Sequence, residues 1–392
     1  MNSLASPTLG FYVQIPFCAS KCSFCNFSSQ VERSAAVYDS YLRGLEAEVA
    51  QLSRQAGDVA LLTVDSIYLG GGTPSLFGAP RLARLFSVLR ARFTFAERCE
   101  ATIEITPNSA DDALLAALLP LGFDRLSIGA QSFDDRELRS VGRLHTARDI
   151  HAQVAAARRA GFGNISLDLL AGLPYQSEAS WQRSIQQALR LRPEHLSVYL
   201  FEADEKSRLG REVRRSGSAY HADAVPSDDF MADAYQTARH DLTAAGYAQY
   251  EISNFALPGY ASLHNRKYWQ MKPYLGMGAG AHSFDGTRRW SNLVEPKAYV
   301  EKLAQGLSPT ADCRSLPAFE RAEEFFFLGL RQREGVRLDH ARRLFAGLSL
   351  DPWERRLRDL ASEGWLKERD GAFSLTDSAL LVSNEIFERL LL

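Results

Sequence analysis

The sequence predicts an α/β protein: a partial barrel of six βα units followed by a smaller, mostly helical module. Short apolar or β-branched runs alternate with helical patterns through the first two thirds of the 392 residues. The runs are nearly continuous, as in parallel strands covered on both faces. The residues best suited to chemistry fall where those runs end, which is where barrels carry their sites. A doubly wound sheet is the competing architecture, but no GxGxxG follows the first run.

The strands read, in order, FYVQIPF (11–17), DSIYLGG (65–71), ATIEITP (101–107), RLSIGAQSF (125–133), ISLDLLAGLP (165–174) and HLSVYLFE (195–202). Helical segments at 34–55, 79–93, 111–119, 146–160 and 178–190 separate them. The polar run 204–226 reads as a long loop, 228–245 as a helix and QYEISNFA (249–256) as extended chain. A Pro/Gly-bearing loop is expected through 284. From about 317 the pattern is helical, with segments at 337–346 and 351–363, a hairpin around Asp370–Gly371 and a last helix. Two helices, a hairpin and a helix resemble a winged-helix module. The expected division is 1–290 for the barrel and 291–392 for the C-terminal domain.

Composition narrows the partners. With 46% hydrophobic and 23% charged residues the chain is an ordinary globular protein. Its 45 basic and 47 acidic residues leave a net charge of −2, so nucleic acid is not an expected partner. The winged-helix likeness does not by itself carry DNA binding. The N-terminus lacks a signal or transit pattern, and no apolar run approaches the roughly 20 residues that span a bilayer. The expected location is cytoplasmic, with peripheral membrane contact left open.

Three of five cysteines, Cys18, Cys22 and Cys25, lie within FCASKCSFCNFS with the spacing C-x3-C-x2-C. In a reducing compartment such a group is a metal site rather than a disulfide framework. Three thiolates on a 4Fe–4S cluster leave one iron open for an added chelate. Structural zinc is the alternative, but it needs a fourth ligand, and the next histidine is His145. Cys99 and Cys313 stand alone as ordinary thiols.

This spacing resembles the signature of the radical S-adenosylmethionine (SAM) superfamily. There the open iron binds the amino and carboxylate groups of SAM, and an electron from the cluster cleaves it. YVQIPFCASKCSFCNF, GGGTPS (70–75), AQSFDD (130–135), LDLLAGLPYQ (167–176) and GMGAGAHSF (276–284) match, in order, the family of oxygen-independent coproporphyrinogen III oxidase and its heme-chaperone relatives. Within it the oxidases continue C-x-C after the third cysteine; here Asn26 and Phe27 follow, as in the chaperones. HNRKYW (264–269) matches the chaperones' H-N-x-x-Y-W. Gln14 stands where the family reads histidine in Y-x-H-I-P-F, and glutamine has no titrating role near neutral pH.

The resemblance implies a heme chaperone that delivers heme to acceptors such as respiratory proteins. The rival readings are the oxidase, a radical SAM heme-degrading enzyme and a zinc-bound interaction protein. The resemblance also implies SAM contacts at Tyr12, Gly71, Gly72, Thr73, Glu104, Gln131, Arg143 and Asp168. Read without it, the glycines make a tight turn, Arg143 is a solvated helix residue and Tyr12 is core. Glu104 among apolar strand residues calls for a partner or for exposure at an edge. For heme, His264 is the first candidate axial ligand, with Tyr268 and Trp269 as pocket walls. A core histidine bonding a loop carbonyl is the alternative, and His282 is a second, weaker candidate.

Overall fold

The computed structural model describes residues 8–55 and 57–392. The first seven residues, part of the N-terminal stretch read above for targeting signals, lie outside them. All six expected strands form: β1 (Thr8–Ile15), β2 (Thr63–Gly71), β3 (Phe95–Ile105), β4 (Arg125–Gln131), β5 (Ile165–Ala171) and β6 (His195–Leu200). A seventh, β7 (Tyr274–Met277), joins them in the parallel order β7-β1-β2-β3-β4-β5-β6. Antiparallel strands extend both edges, Asn254–Ala256 beside β6 and His282–Phe284, Arg288–Asn292 and Thr310–Ser315 beyond β7. The large sheet thus continues through Ser315.

The helices between strands are α1 (Ala35–Gln55), α2 (Ala79–Arg90), α3 (Asp112–Leu121), α4 (Ala147–Ala160) and α5 (Glu178–Leu191). Local chemistry fixes their ends. Asp111 caps α3 by accepting from the Leu114 amide, and Thr146 and Ser177 form reciprocal capping boxes on α4 and α5. Gly122 and Gly161 end α3 and α4 in the left-handed region.

The strands are not apolar on both faces. Leu9, Phe11, Val13, Ile67, Leu69, Leu126, Ile128, Leu167 and Leu196 face the helices and build one continuous core. The alternate positions carry Tyr12, Gln14, Ser66, Tyr68, Glu104, Arg125, Ser127, Asp168, Ser197 and Tyr199. Period-two alternation therefore gives this barrel an apolar exterior and a polar interior.

Two expected loops contain structure. Within 204–226 lie the helix Arg208–Arg214, capped by Ser207, and a 3-10 turn Ala219–Ala224. They bury Leu209 and Ala222 with Val141, Leu170, Leu173 and Phe201, a tertiary gain that outweighs the polar local sequence. Within 257–284 the helix Leu263–Trp269 and β7 form for the same reason. The C-terminal region matches expectation: helices Ala318–Leu330, Leu338–Leu344 and Asp351–Ser362 pack with a three-stranded antiparallel sheet. Its hairpin turns at Asp370 (φ 52°) and Gly371 (φ 73°), the two positive φ values of a type I′ turn.

Candidate cofactor site

The cysteine loop leaves the C-terminal end of β1. Phe17–Cys18 pairs in parallel with Gln30–Val31, which closes residues 19–29 into a loop. The Ser23 amide donates to Val141 O at 3.0 Å and its carbonyl accepts from Leu209 at 2.8 Å, so neighbouring βα loops hold the tip. Cys18, Cys22 and Cys25 are half-buried and line one cavity of about 540 Å³. Burial pushes the Cys18 and Cys25 thiols up, and the neighbouring cysteines add to this, while Ser29 and Thr73 hydrogen bonds counter it at Cys18. A bound metal would hold thiols so placed as thiolates. Among the described residues no three His, Cys, Asp or Glu side chains gather around one ion. A cubane gives each thiolate its own iron and needs three sulfurs around a volume, not a point. Phe27, 61% exposed, forms part of the lip.

Close packing against β1 explains Gly71 and Gly72. Gly71 (φ 105°) has the Gln14 amide where a side chain would start, with Nε2 2.3 Å from an ideal Cβ. At Gly72 a Cβ would meet Phe17 O at 2.5 Å, and its amide donates to Ile15 O at 2.9 Å. Thr73 N donates to Phe17 O at 2.7 Å. Bare backbone here lets β2 press against the root of the cysteine loop. Gln14 is buried, accepts from Tyr12 OH at 2.6 Å and donates to Ser28 O at 3.3 Å. It ties β1 to the same loop. The GMGAG segment packs behind it: a Cβ on Gly278 would strike Gln14 O, and the Gly278 amide donates to buried Glu48 of α1 at 2.7 Å.

Across the cavity the inward strand positions form a polar cradle. Glu104 accepts from Tyr68 OH at 2.9 Å and from the Gly71 amide at 3.0 Å. Burial, and then Asp168, push its carboxyl up to about 7. Asp168 is likewise raised by burial, which Ser197, Arg125 and Ser127 oppose. Gln131 ends β4 at φ 67°. Arg143 lies in the chain after the helix Asp135–Ser140, not on a helix, with its guanidinium 5.8 Å from the Phe24 ring centre. The Nε atoms of Arg125 and Arg143 are buried without a partner.

The structure thus brings Gly71, Gly72, Thr73, Glu104, Gln131, Arg143 and Asp168 together with the three cysteines on one cavity. Tyr12 stands apart, its ring stacked on Tyr68 at 6.2 Å. Sequence reasoning missed Arg125, Tyr68, Ser127, Ser197, Tyr199 and Asn265, which also line it. The first five were legible as the polar alternate positions of the strands. Asn265 required knowing where its helix packs.

That helix, Leu263–Trp269, closes the barrel from the other end. The Glu100 carboxylate accepts from Ser262 Oγ (3.1 Å) and the amides of Leu263 (2.9 Å) and His264 (3.0 Å). His264, expected as an axial ligand, is 1% exposed, with Nδ1 bonded to Ser66 Oγ (3.1 Å) and Nε2 to Tyr268 OH (2.9 Å). Burial, with Lys267 and Arg125, lowers its pKa to about 3. As folded, both nitrogens of His264 are committed. Trp269 stacks under Arg331 at 4.3 Å, against the C-terminal domain, and Tyr268 packs edge-on to Tyr274 at 4.7 Å, so the two expected pocket walls are half-buried in contacts of the fold. Lys267 pairs with Asp65 at 2.6 Å, its stem lying where a side chain on Gly10 would be. His282 is exposed on an antiparallel strand.

The donor set fits both expected groups: three thiols for a cluster with an open iron, and carboxylates, hydroxyls and unpartnered guanidinium nitrogens for an amino-acid head and a ribose diol. A cluster held there would supply an open coordination site and one electron, and the protein would supply ligation, orientation and a sheltered site.

Comparison with known proteins agrees. Residues 12–188 match the model of the radical SAM superfamily and 316–382 that of the HemN C-terminal domain. The chain is 35% identical to the heme chaperone HemW of Bacillus subtilis over 96% of this chain and 97% of that one. It is 34% identical to the heme chaperone HemW of Mycobacterium tuberculosis, over 84% of this chain and 83% of that one. The fold superposes on coproporphyrinogen III oxidase (HemN) from Escherichia coli with a TM-score of 0.85 at 26% identity, covering 98% of this chain and 90% of the oxidase. A polar-lined partial barrel with three cysteines at its mouth, matched end to end by these relatives, places the chain in the radical SAM superfamily and, within it, in the HemW family.

Proposed function

We propose that the chain is a heme chaperone: it binds heme on the barrel face that carries the cysteine loop and passes it to acceptor proteins. Cys18, Cys22 and Cys25 hold a 4Fe–4S cluster. Gly71, Gly72, Thr73, Glu104, Gln131, Arg143 and Asp168 hold SAM, with Tyr12 steadying Gln14 and Tyr68 behind them. The observation that carries the reading is the meeting of three thiols and this cradle on one cavity, in a chain similar along its length to proteins described as heme chaperones. The acceptors are respiratory proteins, met at the membrane surface from the cytoplasm. No helix among the described residues is long and apolar enough to cross a membrane, which suits a visiting carrier.

The test is a heme titration of the anaerobically reconstituted protein, followed through a desalting column by visible absorbance. About one heme retained per chain and passed to an apo-acceptor is the expected result. No retention overturns the reading. The likeness to coproporphyrinogen III oxidase favours a second reading, oxidative decarboxylation of a porphyrinogen. Protoporphyrinogen formed from coproporphyrinogen under reducing conditions with SAM would establish it.

A further inference from the structure

His264 is committed within the barrel, so a heme carried by this chain takes its ligand elsewhere. His145 is buried against Ala130 O, His195 is held by Ser166 and Tyr250, and His151 bonds Gln187. His240, His282 and His340 are exposed, on the helix Asp228–Ala244, the antiparallel strands and the C-terminal module. His221 is exposed beside the cysteine loop. Its neighbour Ala222 is buried in a small core that also takes in Phe24, one of the two residues between Cys22 and Cys25.

The surroundings of His221 are built for presentation. Its Nδ1 is 2.9 Å from Tyr175 OH, and Nε2 makes no hydrogen bond among the described residues. Tyr175, Tyr220 and His221 all hold positive φ (67°, 58° and 61°), three of the nine non-glycine residues that do so among the described residues. The bond from Tyr175 N to Ala224 O, 2.8 Å, locks the two loops together. Conformations of this kind persist only where the surroundings impose them, and they gather at ligand sites. The guanidinium of Arg136 lies 3.9 Å from the exposed Tyr175 ring, and that of Arg208 lies 5.1 Å from Tyr220. Each guanidinium covers one face of its tyrosine, and nothing among the described residues uses the free nitrogen of His221.

We propose that His221 is the axial ligand of the carried heme, bonding iron through Nε2. This rests on the chaperone reading above. A hydrogen bond from Nδ1–H to a fixed hydroxyl sets the tautomer and turns Nε2 outward, the usual arrangement behind a ligating histidine. Tyr175 and Tyr220 offer their uncovered ring faces to the macrocycle, exposed Arg136 is placed to pair a propionate, and Arg208, which donates to the Lys21 carbonyl, ties this wall to the cysteine loop. The heme then sits against the outer wall of the cysteine loop, and the cavity stays free for SAM.

The test is a titration of hemin into reconstituted wild-type, His221→Ala, Tyr175→Phe and His264→Gln proteins. Readouts are the Soret position, the dissociation constant and the cluster absorbance. His221→Ala should shift the Soret band and weaken binding at least about tenfold with the cluster intact, and added imidazole should restore the band in His221→Gly. Tyr175→Phe should weaken binding less, about two- to fivefold. His264→Gln, if folded, should keep the wild-type Soret position. Wild-type affinity and spectrum in His221→Ala overturn the assignment and leave the chaperone reading standing. Failure of the wild-type protein to retain heme overturns both.

Discussion

The two ends of the barrel interior are lined by the same kinds of residue and differ in whether those residues are satisfied. At the N-terminal end the charged groups and the histidine of the plug are paired: Glu100 takes three hydrogen bonds from Ser262, Leu263 and His264, His264 uses both nitrogens, and Lys267 pairs with Asp65 and donates to Thr8 at 3.0 Å, which leaves the Trp269 indole nitrogen as the buried group without a partner among the described residues of that helix. Towards the C-terminal end Glu104 and Asp168 are raised by burial, the Arg143 Nε has no partner, and the thiols face open volume. Buried polar groups without partners are costly, so a fold that retains them in a cavity is shaped for a guest. Residue type does not separate a site from a plug; open volume beside the unfilled groups does.

That contrast can be broken by mutation at either end. The largest effect is expected for Cys22→Ser, which removes one of three thiolates: the 4Fe–4S absorbance should vanish after anaerobic reconstitution, with an unchanged far-UV spectrum. Retention of the cluster would remove the cysteine loop from the site. At the plug, Glu100→Ala strands two amides and a hydroxyl and should lower stability by about 2–4 kcal/mol in urea unfolding. A loss under about 0.5 kcal/mol would show that the plug is held by packing alone.

Glu104 gives the smallest and sharpest test. With its carboxyl near 7, a ligand whose hydroxyls or cation favour the carboxylate must displace a proton below that pH. SAM affinity should therefore fall as pH drops below about 7, approaching tenfold per unit, and the slope should disappear in Glu104→Gln. The same shift makes the ligand-free fold lose stability as pH rises from 4.5 towards about 7, because the folded state holds the proton more tightly than the unfolded chain. Equal pH dependence in the variant would place the titration elsewhere.

The barrel strands and the cysteine loop were legible because their signals are local. β-branched runs, capping residues and a C-x3-C-x2-C spacing act within a few residues of themselves. The polar alternation of Ser66–Tyr68, Ser127, Asp168 and Ser197–Tyr199 was equally present in the sequence, but the apolar partners in the same strands masked it. HNRKYW shows the converse limit. A motif rich in heme-ligating residue types folds as a helix whose histidine bonds Ser66 and Tyr268, partners 198 and 4 positions away. Spacing cannot reveal that a nitrogen is already bonded.

The amino-acid sequence by itself determined the fold class, the three-thiol cluster motif and the family, since each rests on short-range pattern. Tertiary structure alone decided that Gly71 and Gly72 make room for Gln14 and Phe17, that Arg125 and Asn265 face the cavity, and that 204–226 folds against the cysteine loop. It also decided which histidine is spent and which is presented. The physical reason is that burial and hydrogen-bond saturation belong to a side chain's surroundings, and those surroundings are assembled from segments far apart in the chain.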